Sequence, residues 1–325
     1  MTPHADLAVE SVTAVIVNYR TPGLVRQCVD QLKAHPAAGV GLQVVVVDNG
    51  SGDGSLEQIG AAHPDIRLID AGGNLGFARG NNLALRDLAT DYALLINSDA
   101  LVEPGAMDAM VAALRDNPDV GMVGPRIVNV DDGADQDYPE HFPSVLQMIR
   151  RAVKGPQFPA RGQDAPVDID RIHGACLMTR AVVLRQIGLL DESFFLYDED
   201  VDWCIRARRA GWRLLLLPQA RVRHYGGKTS GRTPNGRRAV ETPSEGSLRM
   251  RYELRRSRYL LYRKHRGVAE TAVLKLMTDA MLLADSAVWL ARAVLSRECR
   301  RASAAVLRCN FRIIRLNPFG LQVSS

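Results

Sequence analysis

Short, almost wholly apolar runs alternate with segments of helical spacing over the first third of the chain. Val12–Val17 and Leu42–Val47 are β-branched runs of the kind a buried parallel strand shows, and Ile66–Ile69, Tyr92–Ile96 and Val120–Val123 continue the series. Between them, Pro22–His35, Asp53–His63, Gly76–Leu88 and Pro104–Asn117 carry apolar residues three and four apart, with proline at first-turn positions. This alternation predicts an α/β domain, a mostly parallel, Rossmann-like sheet flanked by helices. A further strand is expected at Arg213–Leu217 and a helix at Asp200–Ala210.

Ligands of such sheets bind at the carboxyl ends of the strands. There the chain is polar: Asn18-Tyr19-Arg20, Asp48-Asn49-Gly50-Ser51, Gly72-Gly73-Asn74 and Asn97-Ser98-Asp99 follow the first four strands and are expected to face one crevice. Asn and Asp bond base edges and ribose hydroxyls, glycine admits a phosphate to the backbone, and Arg79 offers charge to a diphosphate. Taken singly, each loop is equally a set of turn formers. A dinucleotide fingerprint fails in detail, because Ser55 stands where the third glycine after Gly50 and Gly52 belongs. No P-loop sequence occurs.

Asp198, Glu199, Asp200 and Asp202 crowd four carboxylates into one short segment. Like charges this close raise one another's pKa unless a cation, a metal or a proton-transfer task holds them. The alternative is an acidic first helical turn, balanced by Arg206, Arg208 and Arg209 at the far end. Five scattered cysteines with no Cys-x-x-Cys pair argue against a disulfide framework or zinc ribbon and suit a reducing cytoplasm. No export signal or membrane-spanning run is read.

The quoted segments, together with Val15-Ile16-Val17-Asn18-Tyr19, Val45 to Ser55, Asn74 to Asn82, Leu94 to Asp99, Gly174-Ala175-Cys176-Leu177-Met178 and Asp198 to Arg206, resemble in this order a family 2 nucleotide-sugar glycosyltransferase, nearest the bacterial rhamnosyltransferase-like branch. The resemblance covers roughly residues 12 to 230. It implies a GT-A fold, an inverting transfer from a nucleoside diphosphate sugar and a divalent cation, Mg2+ or Mn2+, held by a D-x-D-type motif. Asp99 matches the last aspartate of that motif, while Asn97 stands where many members have Asp. Asp48 matches the base-contacting acid, Asn18 and Tyr19 the first nucleotide-binding loop, and Asn74 and Arg79 the sugar-nucleotide loop. Asp200 matches the catalytic base. His224 matches a histidine that some relatives use as a metal ligand; a lone histidine is otherwise a core or surface residue. Glu199, Asp202 and Trp203 are expected near the acceptor, with helix capping, orientation of the Arg206 region and core packing as their respective alternatives. His173 either reaches the acceptor or packs, and Lys228, Thr229 and Ser230 either touch the diphosphate or are loop polarity. The segments 131–137 and 154–162 lack periodicity and read as a mobile insert, either an acceptor-side lid or a plain surface loop. The Gln-x-x-Arg-Trp signature of processive synthases is absent, which implies single additions.

Residues 245 to 325 hold 16 Lys and Arg against six Asp and Glu, a balance of +10 behind an acidic front. The expected domains are therefore a GT-A catalytic domain over 1–245 and a helical, basic extension over 246–325. Ala272–Leu295 is apolar but broken by Lys275, Asp279, Asp285 and Arg292, too charged to span a bilayer comfortably. It either lies on an anionic membrane surface or forms a packed hairpin with a solvated basic face. No nucleic-acid motif is present. The expected partners are a nucleoside diphosphate sugar, dTDP-rhamnose favoured by resemblance, and a glycan or polyprenyl-diphosphate-linked acceptor, used in the cytoplasm or on the inner face of its membrane. A catalytically silent sugar-nucleotide- or membrane-binding module of the same fold is the alternative, and a carboxylate at Asp200 is what separates the two.

Overall fold

A computed structural model of the chain describes residues 10–136, 141–147, 150, 164–226, 243–295 and 299–321. Its strands are β1 (Ser11–Asn18), β2 (Gly41–Asp48), β3 (Arg67–Asp70), β4 (Tyr92–Asn97), β5 (Ala100–Val102), β6 (Val120–Asn129), β7 (Val167–Asp168), β8 (Cys176–Arg180) and β9 (Arg213–His224). The helices are α1 (Pro22–Ala34), α2 (Ser55–Ala62), α3 (Phe77–Leu85), α4 (Ala106–Asp116), α5 (Ala181–Ile187), α6 (Glu199–Arg209), α7 (Glu245–His265), α8 (Gly267–Leu295) and α9 (Cys299–Ile314).

The strands form one sheet in the order β3-β2-β1-β4-β8-β6-β9-β5, with β7 on β9. β3, β2, β1 and β4 are parallel, as their unbroken apolar runs require, and β6 and β9 are parallel as well. β8 enters antiparallel between β4 and β6, and β5 and β7 are antiparallel to β9. The result is a mixed α/β fold whose paired residues are mostly in parallel register. Buried side chains of β1, β2, β4, β6, β8 and β9 form a continuous core with α1, α4 and the body of α6. The register aligns Asn18 with Asp48 and Asp48 with Asp70, and sets Asn97 opposite Val17, so the polar strand ends share one edge of the sheet.

The chain divides into two compact units. The first holds every described strand, α1–α5 and α6 from Trp203 onward; the second holds Asp191–Asp202 with α7, α8 and α9. The acidic segment thus groups with the C-terminal helices rather than with the sheet, a division that the expected cut at residue 245 does not contain. In the second unit Tyr259, Tyr262 and Leu274 make one apolar cluster, and Leu282, Cys309 and Ile313 another. Asn310 ties α9 to α8 through Asp285 and Ser286, and Arg251 of α7 meets the same Asp285 at 2.9 Å. Among the described residues no helix is long and apolar enough to cross a membrane.

Candidate active site

The loops after β1 and β2 are bound to each other by their own polar side chains. Asn18 Nδ2 donates to Asp48 Oδ1 at 2.6 Å, and Ser51 Oγ donates to the same oxygen at 2.6 Å. The Ser51 N–H takes Asp48 Oδ2 at 3.1 Å. Asn49 then reaches across to the loop after β3, accepting from the Leu75 N–H at 2.9 Å and donating to the Gly76 carbonyl at 3.2 Å. The two loops can approach because residue 50 is glycine: it sits at φ 71°, and a Cβ there would lie 2.5 Å from the Gly73 backbone. Asn18 and Asp48 are buried, Tyr19 is half-buried beneath the Arg20 guanidinium, and Asn74 caps Gly76 within its loop. Arg79 is an exposed residue of α3.

Further along the same edge, a tight turn at Ser98-Asp99 joins β4 to β5, and β5 pairs with the end of β9, placing His224 opposite Ala100. Asp99 Oδ1 lies 3.2 Å from His224 Nε2, and Asn97 Nδ2 lies 3.4 Å from the same nitrogen. The histidine's tautomer follows from Gln136. Its amide nitrogen donates to the His224 carbonyl and to Asn129 Oδ1, both at 2.9 Å, so its Oε1 must accept from His224 Nδ1, also at 2.9 Å. With Nδ1 bonded to Gln136, Nε2 is the ring nitrogen that faces Asp99, and a hydrogen-bonded outer partner of this kind orients a metal-ligating histidine. Asp99 is 2% exposed and its Oδ2 has no hydrogen-bond partner. A buried, unpartnered carboxylate oxygen beside an imidazole suits a divalent cation. Among the described residues no group of three or more His, Cys, Asp and Glu forms a metal cluster, so Asp99 and His224 would hold such an ion with ligands from elsewhere. His173 stacks edge-on to His224 with centroids 5.9 Å apart, and burial, with His224 and Arg171 adding to it, pushes its imidazole down to about 3.

The acidic segment is held by α7 within the second unit. Tyr197 and Asp198 both adopt left-handed backbone, φ 72° and 64°, which costs side-chain-bearing residues about 1–3 kcal/mol each. Arg258 grips Asp198 at two points, 2.7 and 2.9 Å, and the Asp198 carbonyl accepts the first α6 hydrogen bond, from the Asp202 N–H. Burial, then the charges of Asp200, Asp198 and Asp202, raise the Glu199 carboxyl well above its ordinary value. Asp200 is half-buried.

Two expected roles are corrected by this geometry. Trp203 is fully buried in the sheet core with its indole N–H on the Gly188 carbonyl at 3.0 Å, so no acceptor sugar can stack on it. Asp202 is also fully buried; its Oδ1 takes Lys264 at 2.9 Å and His265 at 2.7 Å, so its carboxylate is not open to an acceptor. Arg206 donates to the Ile187 and Leu189 carbonyls. The described part of the expected insert, residues 131–136, folds back on β6 through Arg126–Asp135 (2.8 Å) and Gln136, while 154–162 and Lys228–Ser230 lie outside the described residues. Gln136 escaped sequence reasoning because its loop has no periodicity, and Arg258, Lys264 and His265 because each was one basic residue among many.

Solved structures that share this architecture include GalNAc-T7 with UDP, GalNAc and Mn2+, at TM-score 0.55 and 14% identity over 79% of this chain and 50% of that one. A mannosyltransferase of Pyrobaculum calidifontis in complex with GDP-mannose and Mn2+ aligns at TM-score 0.53 and 16% identity, over 97% of this chain and 91% of its own. The sheet order and strand-end loops are those of a GT-A fold. Residues 10–239 match the glycosyltransferase-like family 2, and the chain belongs to that family. Its relatives include the N-acetylglucosaminyl-diphospho-decaprenol L-rhamnosyltransferase of Mycobacterium tuberculosis, 29% identical over 214 residues, 59% of this chain and 69% of the relative. The low-salt glycan biosynthesis hexosyltransferase of Haloferax volcanii is 29% identical over 204 residues, 62% of each chain.

Proposed function

We propose that the protein is an inverting, cation-assisted glycosyltransferase that moves a sugar from a nucleoside diphosphate to a glycan or polyprenyl-diphosphate-linked acceptor in cell-surface polysaccharide synthesis. The favoured donor is dTDP-rhamnose, in keeping with the mycobacterial relative's L-rhamnosyl transfer onto a diphospho-decaprenol carrier. The observation that carries the reading is the buried, unpartnered Asp99 Oδ2 next to the His224 imidazole, at the sheet edge that also holds Asn18, Asp48 and Asn74.

Each residue then has a stated task. Asp48 keeps one acceptor position on Oδ2 beyond the Ser51 N–H, which suits the N–H of a pyrimidine ring, with Asn18 and Ser51 fixing its orientation. Asn74 holds the loop over which the sugar nucleotide lies, Tyr19 lines the nucleotide side, and Arg79 offers exposed charge to the diphosphate. A divalent cation on Asp99 and His224 would neutralise the charge that builds on the departing diphosphate. Asp200 takes the acceptor hydroxyl proton as that oxygen forms its bond to the anomeric carbon, while the bond to the diphosphate breaks with its electron pair on the leaving oxygen. Glu199, whose carboxyl is raised well above its ordinary value by burial and by the neighbouring carboxylates, stands near the acceptor.

Asp200→Asn keeps the side-chain shape and removes its basicity. Turnover should fall by about 10²-fold or more while donor affinity stays within a few-fold, measured by nucleoside diphosphate release and by calorimetry. Near-normal turnover would remove Asp200 from the role of base.

A further inference from the structure

Segment 191–202 is not a free loop, and what fixes it is one face of a helix far along the chain. Along α7, positions seven apart make successive attachments. Arg249 lies over the Phe195 ring at 4.9 Å, and Arg256 donates to the Ser193 carbonyl at 3.1 Å. Tyr197 Oη meets Met250 Sδ at 3.3 Å, Ser257 Oγ donates to the Leu196 carbonyl at 2.8 Å, and Lys264 pairs with Asp191 at 2.6 Å and Asp202 at 2.9 Å. Arg258 holds Asp198 at two points and His265 holds Asp202. A seven-residue period keeps these positions on one helix face. The contact that matters for chemistry is Arg258–Asp198, because Asp198 carries the second of two consecutive left-handed residues and its carbonyl begins α6, two positions before Asp200. Consecutive left-handed non-glycine residues persist only where their surroundings over-determine them. The fork-shaped, two-point guanidinium contact supplies that constraint, which a point charge would not.

We propose that Arg258 is a positioning residue for catalysis: by locking the left-handed Tyr197–Asp198 corner it sets the direction in which α6 leaves and hence where the Asp200 carboxylate sits. The one α7 contact at Arg258 is in this account part of the catalytic apparatus. The inference rests on Asp200 being the base, and it assigns to Arg258 an effect on turnover without one on donor binding.

The test uses the full chain with dTDP-rhamnose and, in parallel, UDP- and GDP-sugars as donors, and a short-chain N-acetylglucosaminyl-diphospho-prenol as acceptor. Arg258→Gln should lower kcat by about 10-fold or more with donor Kd within a few-fold, because a group acting through another moves turnover and not ground-state binding. Asp198→Asn should do the same, and the double variant should be no worse than either single one, the non-additivity expected of a shared contact. The double variant leaves no buried unpaired charge, so it decides the matter if Arg258→Gln alone melts below the assay temperature. Arg251→Gln, on the same helix but paired with Asp285, should leave kcat unchanged. A folded Arg258→Gln or double variant with kcat within two-fold of the parent overturns the inference. If Asp200→Asn itself keeps full turnover, or the parent turns over none of these donors, the functional reading fails instead.

Discussion

Asp99 and His224 meet because a tight turn after β4 and the last residue of β9 are adjacent in the sheet, and Gln136 decides which imidazole nitrogen faces the carboxylate. Asn97 carries no charge, which leaves Asp99 as the anionic member of the turn. Glu199 obeys a different logic. It is buried among like charges, and its carboxyl is raised well above the usual glutamate value. An acid with a raised folded pKa binds its proton more tightly folded than unfolded, so its stabilising effect is complete below the unfolded value and is lost as pH rises toward the folded one. The relevant window opens at the ordinary glutamate value, 4.5, and extends upward. Glu199→Gln should therefore melt roughly 2 °C or more above the parent at pH 8, with the gap closing near pH 4, read from thermal melts across pH. A variant that melts lower than the parent at pH 8 would show that the ionised form is favoured in the fold.

At the scale of elements, α8 is the least settled by its own packing. Thr271, Leu274, Thr278 and Leu282 are buried along one stripe, whereas Leu276 and Val294 are 70% and 80% exposed, with Leu283, Val288 and Leu290 also open. A wide apolar face on a helix that ends with Arg292 in its last turn and is followed by Arg300, Arg301 and Arg308 suits the surface of an anionic membrane, where each basic residue contributes on the order of 1 kcal/mol. The full chain should sediment with phosphatidylglycerol vesicles at low salt and progressively less as salt rises, and Leu276→Glu with Leu283→Glu and Leu290→Glu should not sediment. A parent chain that ignores such vesicles at low salt leaves the lipid-carrier proposal without this support. Much of the sheet was legible beforehand: the runs at Val12, Leu42 and Tyr92 match β1, β2 and β4 within a residue at either end, because a strand buried on both faces has no polar positions to confuse it, while the run at Val120–Val123 covers only the first part of β6, which continues to Asn129. β5, β7 and α5 are too short to establish a period, and β8 was visible only as a family segment. The polar strand ends were legible for the same reason as the strands. The bond between Arg258 and Asp198 was not, since sixty residues separate them and nothing local marks which of α7's many arginines turns inward.

Over the whole molecule, charge and chemistry separate along the chain. The strand-end residues Asn18, Asp48, Asn74, Asn97, Asp99 and His224 belong to the first unit, and the acidic segment with the basic helices belongs to the second. The front is acidic overall while residues 245 to 325 carry a balance of +10, so in the proposed function a local cation rather than the general field would draw an anionic donor to the strand ends. The central claim is that Asp99 and His224 hold a divalent cation for a nucleoside diphosphate sugar. Calorimetric titration of the full chain with dTDP-rhamnose, UDP- and GDP-sugars, with Mn2+ or after chelation, tests it most directly. The account predicts saturable binding of at least one donor that requires the cation and is abolished by Asp99→Ala. Donor binding of equal strength in chelated parent and Asp99→Ala, or none with any donor, would contradict it.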